Sequence, residues 1–161
     1  MMKMRRQERA VTDWKRVLEV VQNCDCCRVA FNEADGPYIV PMNFGFEAGP
    51  GERLTLYFHG ASAGKKLELI RANPSVGFEM DTGHGLISGI QACSCSFLYQ
   101  SVMGKGKMEI VSDLEEKKHG LAVLMRHYLG EKEWIFPSEV VEKTMVFRLE
   151  GKEWSCKEHR A

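Results

Sequence analysis

The sequence predicts a mainly β protein, an antiparallel barrel with a few helices packed outside it. Short β-rich runs are separated by Gly-, Pro- and Asp-containing turns, and helical periodicity is confined to three segments. A regular alternation of strands and helices, which would predict a parallel sheet, is missing from the sequence. The length of 161 residues is typical of one domain, so we expect residues 1–161 to form a single domain.

The charge balance of the chain excludes several classes of partner. Lysine plus arginine (22) equal aspartate plus glutamate (22), which provides no broad attraction to nucleic acid or anionic lipid. No apolar run approaches the roughly twenty residues of a membrane span, and the basic start lacks the apolar segment of a secretory signal. We therefore expect a cytoplasmic protein with neither a nucleic-acid nor a membrane partner, whose six cysteines are reduced thiols.

The first third of the chain predicts one helix followed by strands. Apolar residues spaced i, i+3, i+4, i+7 from Trp14 predict a helix over 13–23, with Thr12 or Asp13 as its cap. Three β-rich runs follow, at 28–31, 38–46 and 54–59. Pro41 interrupts the second run and cannot donate a ladder hydrogen bond, so it should lie at a bulge, a strand end or a sheet edge.

The middle of the chain predicts a short helix and one strand. The helix covers 64–73, and the Asn73-Pro74 pair should end it, because a residue before proline avoids the helical region. A strand follows at 76–80. The stretch 82–95 contains glycine and serine without a clear period, which is typical of irregular structure.

The last third predicts two strand regions around a long helix. Strands at 97–103 and 107–111 are separated by Gly104-Lys105-Gly106, which indicates a bulge or sharp bend. Asp113 and Glu116 resemble a capping box that opens a helix over 113–129, with one face formed by Leu121, Leu124, Met125 and Tyr128. The stretch 144–149 and Trp154 predict a final strand or pair of strands.

The most informative segment for chemistry is Tyr57-Phe58-His59-Gly60-Ala61-Ser62-Ala63-Gly64-Lys65-Lys66. A strand here ends in small residues, and a helix then begins with two lysines. Free amides and the positive end of the helix dipole favour an anion, and the lysines add full charge, which suits a phosphate monoester. Two adjacent lysines on a short surface helix are, however, more often simply solvated, so the pattern alone leaves both interpretations open.

Five stretches in one order carry a resemblance to a known family. They are Arg5-Arg6-x-x-Arg9, the run 36–46, the run 57–66, Asn73-Pro74-x-Val76-Gly77-Phe78-Glu79, and Tyr99-x-Ser101-Val102-x-Gly104-x-Gly106. Together they resemble the pyridoxamine 5′-phosphate oxidase-like FMN-binding split barrels, specifically the branch of 5-nitroimidazole-resistance nitroreductases. The similarity spans nearly the whole chain.

The resemblance implies an antiparallel Greek-key split β-barrel that dimerises and holds FMN, or alternatively FAD, between two identical subunits. A small barrel fills its interior with side chains, so the flavin must lie outside it. By this resemblance Lys65 and Lys66 bind the FMN phosphate, His59 lies at the flavin face as the candidate catalytic residue, and Ser101 with Val102 stands where a glutamine contacts the ring. The implied cofactor-binding residues are Pro41, Met42, Asn43, Phe44, His59, Gly60, Gly64, Lys65, Lys66, Phe78, Ser101 and Val102.

The function implied by the resemblance is an FMN-dependent oxidoreductase that takes electrons from NAD(P)H or another donor and reduces a small acceptor such as a nitroimidazole. Oxidation of pyridoxamine phosphate is disfavoured, because the end of the chain lacks the arginine-containing signature of the true oxidases. Two alternatives stay open: a non-catalytic FMN-binding or flavin-carrier protein, and a thiol-metal or redox-sensing protein built on Cys24, Cys26 and Cys27. The cysteine spacing favours buried free thiols over a metal site, and we assign no metal ligands.

Overall fold

The structure, a computed structural model, describes residues 5–160, so residues 1–4 and 161 of the predicted domain lie outside it. It contains eight strands: β1 (Ala10–Val11), β2 (Cys27–Phe31), β3 (Tyr38–Met42), β4 (Gly45–Gly49), β5 (Arg53–Gly60), β6 (Ser75–Ile87), β7 (Ser96–Val111) and β8 (Met145–His159). The α-helices are α1 (Trp14–Asn23), α2 (Lys65–Ala72), α3 (Leu114–Leu129) and α4 (Ser138–Lys143). No helix within residues 5–160 has both the length and the apolar character that crossing a membrane requires.

All eight strands belong to one antiparallel sheet, which confirms the predicted fold class. Seven of them follow the order β3-β2-β6-β7-β8-β5-β4, and β1 pairs with β8. The two edge strands, β3 and β4, are consecutive in the chain and are separated only by Asn43 and Phe44, yet they do not pair with each other. The barrel is therefore split between β3 and β4, and Pro41 lies on an edge strand, where its missing donor breaks no ladder.

The main core fills the inside of the curled sheet. Alternate side chains of the strands point inward, and α1 and α2 add their apolar faces to the same cluster through Val17, Val21, Leu67 and Ile70. The largest fully buried side chains are Phe31, Phe44, Phe58, Phe147, Leu54, Leu56, Met80, Met108 and Leu149. The interior is occupied by protein, so a ligand must bind on the outside.

Helix α3 covers part of the outer surface of the barrel. It packs over β4, β5 and the first half of β8, where Tyr57, Val111, Val123 and Val146 form a second, smaller cluster. Its buried residues are Lys117, Gly120, Val123 and Leu124. Of the predicted face, Leu124 is buried and Leu121 packs half-buried against this cluster, whereas Met125 is only half-buried and Tyr128 is exposed. The true face is shifted because Gly120 allows the helix to approach the ring of Tyr57 closely.

The elements differ from the predictions mainly where glycines interrupt a pattern. The predicted run 38–46 is two strands, because the chain passes from one sheet edge to the other at 43–44. Strand β6 continues through part of the predicted irregular stretch, with a register shift between Thr82 and Gly85. Strand β7 is continuous, and the irregularity predicted at 104–106 is a bulge in the partner strand, where Lys152 is the extra residue. Helix α4 was not predicted.

Candidate functional site

The β5–α2 junction brings together five of the predicted site residues. Strand β5 ends at Gly60, and α2 begins at Lys65 after four small residues. Gly64 precedes the helix with a φ of 126°, a conformation that L residues rarely adopt, so glycine permits this sharp entry. This backbone conformation places Lys66 over the end of β5. Lys66 and Gly60 therefore lie together at one end of the barrel.

The ammonium group of Lys66 is half-buried at this surface. Its Nζ lies over the ring of Phe147, 5.5 Å from the ring centroid. A Cβ atom at Gly60 would lie 3.0 Å from this Nζ, so a glycine there leaves room for the ammonium. Burial lowers the pKa of Lys66, and within residues 5–160 no carboxylate offsets the burial by forming an ion pair with it. Lys66 is thus a desolvated cation that would gain from an anion.

Lys65 has a different environment from Lys66. Its Nζ lies 2.6 Å from Oε1 of Glu33 and 4.7 Å from the ring centroid of Tyr38. The hydrogen bond from Lys65 to Glu33 raises the pKa of the lysine. The predicted role of Lys65 at a phosphate stays a prediction, and the geometry favours Lys66 as the stronger anion ligand of the two.

His59 projects outward from the end of β5. Leu54, Leu56 and Phe58 point into the core, so His59 lies on the opposite face with Tyr57 and is exposed. It pairs in register with Val146 of β8. The imidazole is therefore accessible to a ligand on the outer surface, whereas the Cβ direction of the next residue, Gly60, is toward Lys66 and the buried ring of Phe147.

The link between the two sheet edges, Asn43 and Phe44, is held by Tyr128, which the sequence analysis placed on the apolar face of the helix. The Phe44 amide donates to the hydroxyl of Tyr128 (3.1 Å), and so does Nδ2 of Asn43 (3.3 Å). The same hydroxyl donates to the carbonyl of Asp25 (2.8 Å). The Phe44 ring is buried against His127, with centroids 4.4 Å apart. Phe44 thus supports the link from inside, while Asn43 faces solvent.

The predicted ring contacts on β6 and β7 divide into inner and outer positions. Phe78 is 3% exposed and Val102 is 0% exposed, because both side chains point into the barrel. Their side chains therefore do not face the outer surface, and their predicted contact with a cofactor stays a prediction. Ser101 has the opposite orientation and lies in register between Asp81 of β6 and Lys157 of β8. Pro41, on β3, shares this outer surface, whereas Met42 points inward.

The predicted site residues thus include two groups that lie far apart in one protomer, the lysine group around Lys66 and the serine group around Ser101. Strand β8 runs past both: its residue Met145 pairs with Gly60, and its residue Lys157 pairs with Ser101. These positions lie at opposite ends of β8, roughly 40 Å apart along the strand at about 3.3 Å per residue. The lysine group and the serine group therefore do not form one cleft within a single chain.

The cysteines differ in their exposure to solvent. Cys24, Cys27 and Cys156 are buried, and burial raises the pKa of Cys24 to about 12 and that of Cys156 to about 11. Burial also raises the pKa of Cys27. Cys93 and Cys95 are exposed near the tip of the β6–β7 hairpin. Within residues 5–160, no group of three or more potential metal ligands was found.

The burial of three thiols predicts their reactivity. Because the thiolate is the reactive form, Cys24, Cys27 and Cys156 should stay unmodified when the native protein is treated with an aromatic disulfide reagent at pH 8. All six cysteines should react in denaturant. Mass spectrometry of peptides from the native reaction measures this outcome. Rapid modification of Cys24 or Cys27 in the native protein would instead support a redox role for these thiols.

Comparisons with known proteins identify the family of this chain. The family model for pyridoxamine 5′-phosphate oxidase matches residues 13–158. The chain belongs to the pyridoxamine 5′-phosphate oxidase family. A candidate 5-nitroimidazole antibiotic resistance protein from Bacteroides thetaiotaomicron is 33% identical, with a TM-score of 0.79, over 92% of this chain and 86% of that chain. No curated protein matches the chain at a significant level.

Two more distant solved structures share the fold of the oxidase family. An FAD- and heme-binding protein from Mycobacterium smegmatis is 18% identical, with a TM-score of 0.81, over 95% of this chain and 74% of that chain. An FAD-binding protein from Mesorhizobium loti is 22% identical, with a TM-score of 0.65, over 94% of this chain and 98% of that chain. These similarities agree with the split, eight-stranded antiparallel architecture described above.

Proposed function

We propose that this member of the oxidase family binds FMN through Lys66 and uses it to reduce a small acceptor such as a nitroaromatic. The observation that carries the proposal is the half-buried ammonium of Lys66, which lacks an ion-pair partner within residues 5–160. A burial cost of this kind is offset when a phosphate group binds. The related protein from Bacteroides thetaiotaomicron supports the choice of acceptor class, and the FAD-binding neighbours support a flavin.

The residues at the β5–α2 junction fit the phosphate end of a flavin mononucleotide. Gly60 leaves room for Nζ of Lys66, and the first turn of α2 contributes the positive end of its dipole. Gly64 has open space around the position of a Cβ atom, so nothing there blocks a ligand. The terminal phosphate would be held by Lys66, with Lys65 adding long-range charge while it stays paired with Glu33.

A bound flavin would supply the transfer of electrons between donor and acceptor, and the chain would supply binding, orientation and a proton. His59 is exposed near the end of β5, and a ring nitrogen in its protonated form can donate a proton to an acceptor. Ser101 offers a hydroxyl on the outer face of β7 that can hydrogen-bond a polar edge of the ring.

The separation of the two residue groups supports a homodimer. Lys66 and Ser101 belong to opposite ends of the molecule, as their β8 neighbours show. A two-fold dimer repeats every contact, so it can place the lysine group of one protomer against the serine group of its partner. We therefore propose two equivalent flavin sites per dimer, each built from both chains.

The absorbance spectrum of the purified protein tests the cofactor. A yellow protein that releases about one FMN per chain on heating, identified by chromatography, is the expected result. A colourless protein that also fails to bind added FMN or FAD would contradict the proposal. Steady-state turnover with NADH or NADPH and a nitroimidazole then separates an oxidoreductase from a flavin carrier, which would bind FMN without turnover.

His59→Ala should lower turnover while most of the flavin stays bound. The side chain is exposed and contributes little to the core, and the phosphate contact is made by Lys66 instead. Loss of a positioned proton donor typically costs about 10²–10⁴-fold in rate. The test measures kcat together with flavin content, with Thr55→Ala, a half-buried outward position on the same strand, as the control. Loss of flavin with unchanged turnover per bound flavin would make His59 a binding residue instead.

A further inference from the structure

Two of the six cysteines lie one residue apart on the surface of the protein. Cys93 and Cys95 are both exposed, in the segment 88–95 that joins β6 to β7, which we call the tip. Cysteine is among the residue types most often buried in folded proteins, as three others are in this chain. Reactive thiols, in contrast, are accessible to solvent. Packing therefore does not account for the two thiols of the tip, and the flavin site does not use them.

Hydrogen bonds of Ser94 hold the backbone between the two thiols in a tight turn. The Ser94 amide donates to the carbonyl of Gln91 (2.9 Å), and the Ser94 hydroxyl donates to the same carbonyl (2.7 Å). The Gln91 amide donates back to the Ser94 hydroxyl (3.3 Å). Gly89 packs directly against this turn, since a Cβ atom there would overlap Ser94. The positions of both cysteines are therefore set by contacts within the tip.

Both sulfur atoms lie against the same residue of the turn. Sγ of Cys93 is 3.5 Å from Oε1 of Gln91, and Sγ of Cys95 is 3.7 Å from the carbonyl oxygen of Gln91. Cα atoms two residues apart in a tight turn fall within the roughly 4.4–6.8 Å that disulfides span, since even an extended chain advances only about 7 Å over two residues. A disulfide between Cys93 and Cys95 is thus within reach of the turn.

The pair is better suited to thiol exchange than to a metal site. A structural zinc ion takes four ligands of thiolate, imidazole or carboxylate type. Among residues 5–160, no cluster contains even three side chains that could hold a metal ion together. Exchange between thiols and a disulfide, in contrast, needs only two sulfur atoms in the protein.

We propose that Cys93 and Cys95 form a thiol–disulfide exchange site for low-molecular-weight disulfides such as glutathione disulfide. The Cys95 thiolate, whose sulfur accepts from the Gly89 amide (3.4 Å), attacks one sulfur of glutathione disulfide, forms a mixed disulfide and releases one glutathione thiolate. The Cys93 thiolate then attacks the Cys95 sulfur, forms the Cys93–Cys95 bond and releases the second glutathione thiolate. The two thiol protons pass through solvent to the released thiolates. The protein thus loses two electrons and two protons, and glutathione disulfide is reduced to two thiols.

The small size of the closed ring indicates that the exchange is reversible. A disulfide across a single intervening residue removes little loop entropy from the unfolded chain, so it contributes little to stability. Strained or exposed disulfides are also more easily reduced than buried structural ones. The Cys93–Cys95 bond should therefore open again when a thiol reductant is in excess.

Peptide mapping by mass spectrometry, after the native full-length protein is incubated with glutathione disulfide, tests the proposal. The wild-type tip should lose two hydrogen atoms and carry no glutathione, and dithiothreitol should restore both thiols. Cys93→Ser and Cys95→Ser should each retain one glutathione as a mixed disulfide, because the second exchange lacks its thiol. Cys26→Ser, at a half-buried thiol outside the tip, is the matched control and should be oxidised at the tip like the wild type.

Three outcomes for the wild type would each overturn the proposal. They are a tip that keeps a stable glutathione adduct, a disulfide between the tips of two chains, and tip thiols that stay free while the denatured chain reacts. The measurement follows the tip thiols directly and uses neither flavin content nor turnover. A negative result would therefore leave the proposed flavin function unchanged.

Discussion

Lys66→Ala is expected to weaken FMN binding by about ten- to a hundred-fold, or about 1.5–3 kcal/mol. The loss follows from removal of a charge-assisted bond between a half-buried ammonium and a phosphate. Titration of the apoprotein with FMN, followed by flavin fluorescence, measures the dissociation constant. Lys152→Ala, at an exposed lysine in the β8 bulge, is the control and should bind FMN like the wild type. An unchanged constant for Lys66→Ala would contradict the phosphate assignment.

The effect of Lys66 on protein stability distinguishes a ligand-binding role of this lysine from a structural role. Burial lowers the pKa of Lys66 in the folded chain below its ordinary value of 10.5. Between the lowered and the ordinary pKa the unfolded chain binds more protons, so stability rises with pH in that window and the burial cost is fully present below it. Lys66→Met should therefore raise the unfolding free energy of the apoprotein at neutral pH while it weakens FMN binding. A destabilised apoprotein would indicate that Lys66 supports the fold instead.

Gly45→Ala is expected to destabilise the protein by about 3 kcal/mol, at the upper end of the usual range for overpacking. A Cβ atom at Gly45 would lie 2.5 Å from the backbone N and Cα atoms of Leu124, which cannot move without displacing α3 from β4. Urea denaturation followed by circular dichroism measures the change.

Gly49→Ala provides the control within the same strand. A Cβ atom there would lie 3.4 Å from Cβ of Arg53, which is ordinary contact. Its unfolding free energy should change by less than about 1 kcal/mol. Equal effects at Gly45 and Gly49 would mean that the loss arises from strand propensity and not from the α3 contact.

The strength of local patterns explains how much of the fold the sequence predicts. Helix α1 has a clear apolar stripe, and both α1 and α3 begin with an aspartate whose carboxylate accepts from a first-turn amide, Asp13 and Asp113. These elements were placed within one or two residues. The far half of β6 was missed because Gly83 and Gly85 erase the alternation that marks a strand, while its pairing with β7 depends on residues distant in the chain.

The candidate site was likewise predictable from the sequence only where it does not depend on contacts between residues distant in the chain. Sequence order was sufficient to single out Lys66, but its burial over Phe147 and the pairing of Lys65 with Glu33 are tertiary contacts. The inward orientation of Phe78 and Val102 follows from strand alternation and could have been inferred once the strand limits were known. The role of Tyr128 had no local signal, because its hydroxyl joins three segments far apart in sequence.

Hydrogen bonds to the hydroxyl of Tyr128 hold the link between the two sheet edges. No strand ladder joins β3 to β4, so the short link of Asn43 and Phe44 is fastened to the final turn of α3. Final helical turns fray far more readily than a central sheet opens. Fraying of this last turn would therefore free the Phe44 amide and the Asn43 side chain together, while the buried Phe44 ring still anchors the link in the core.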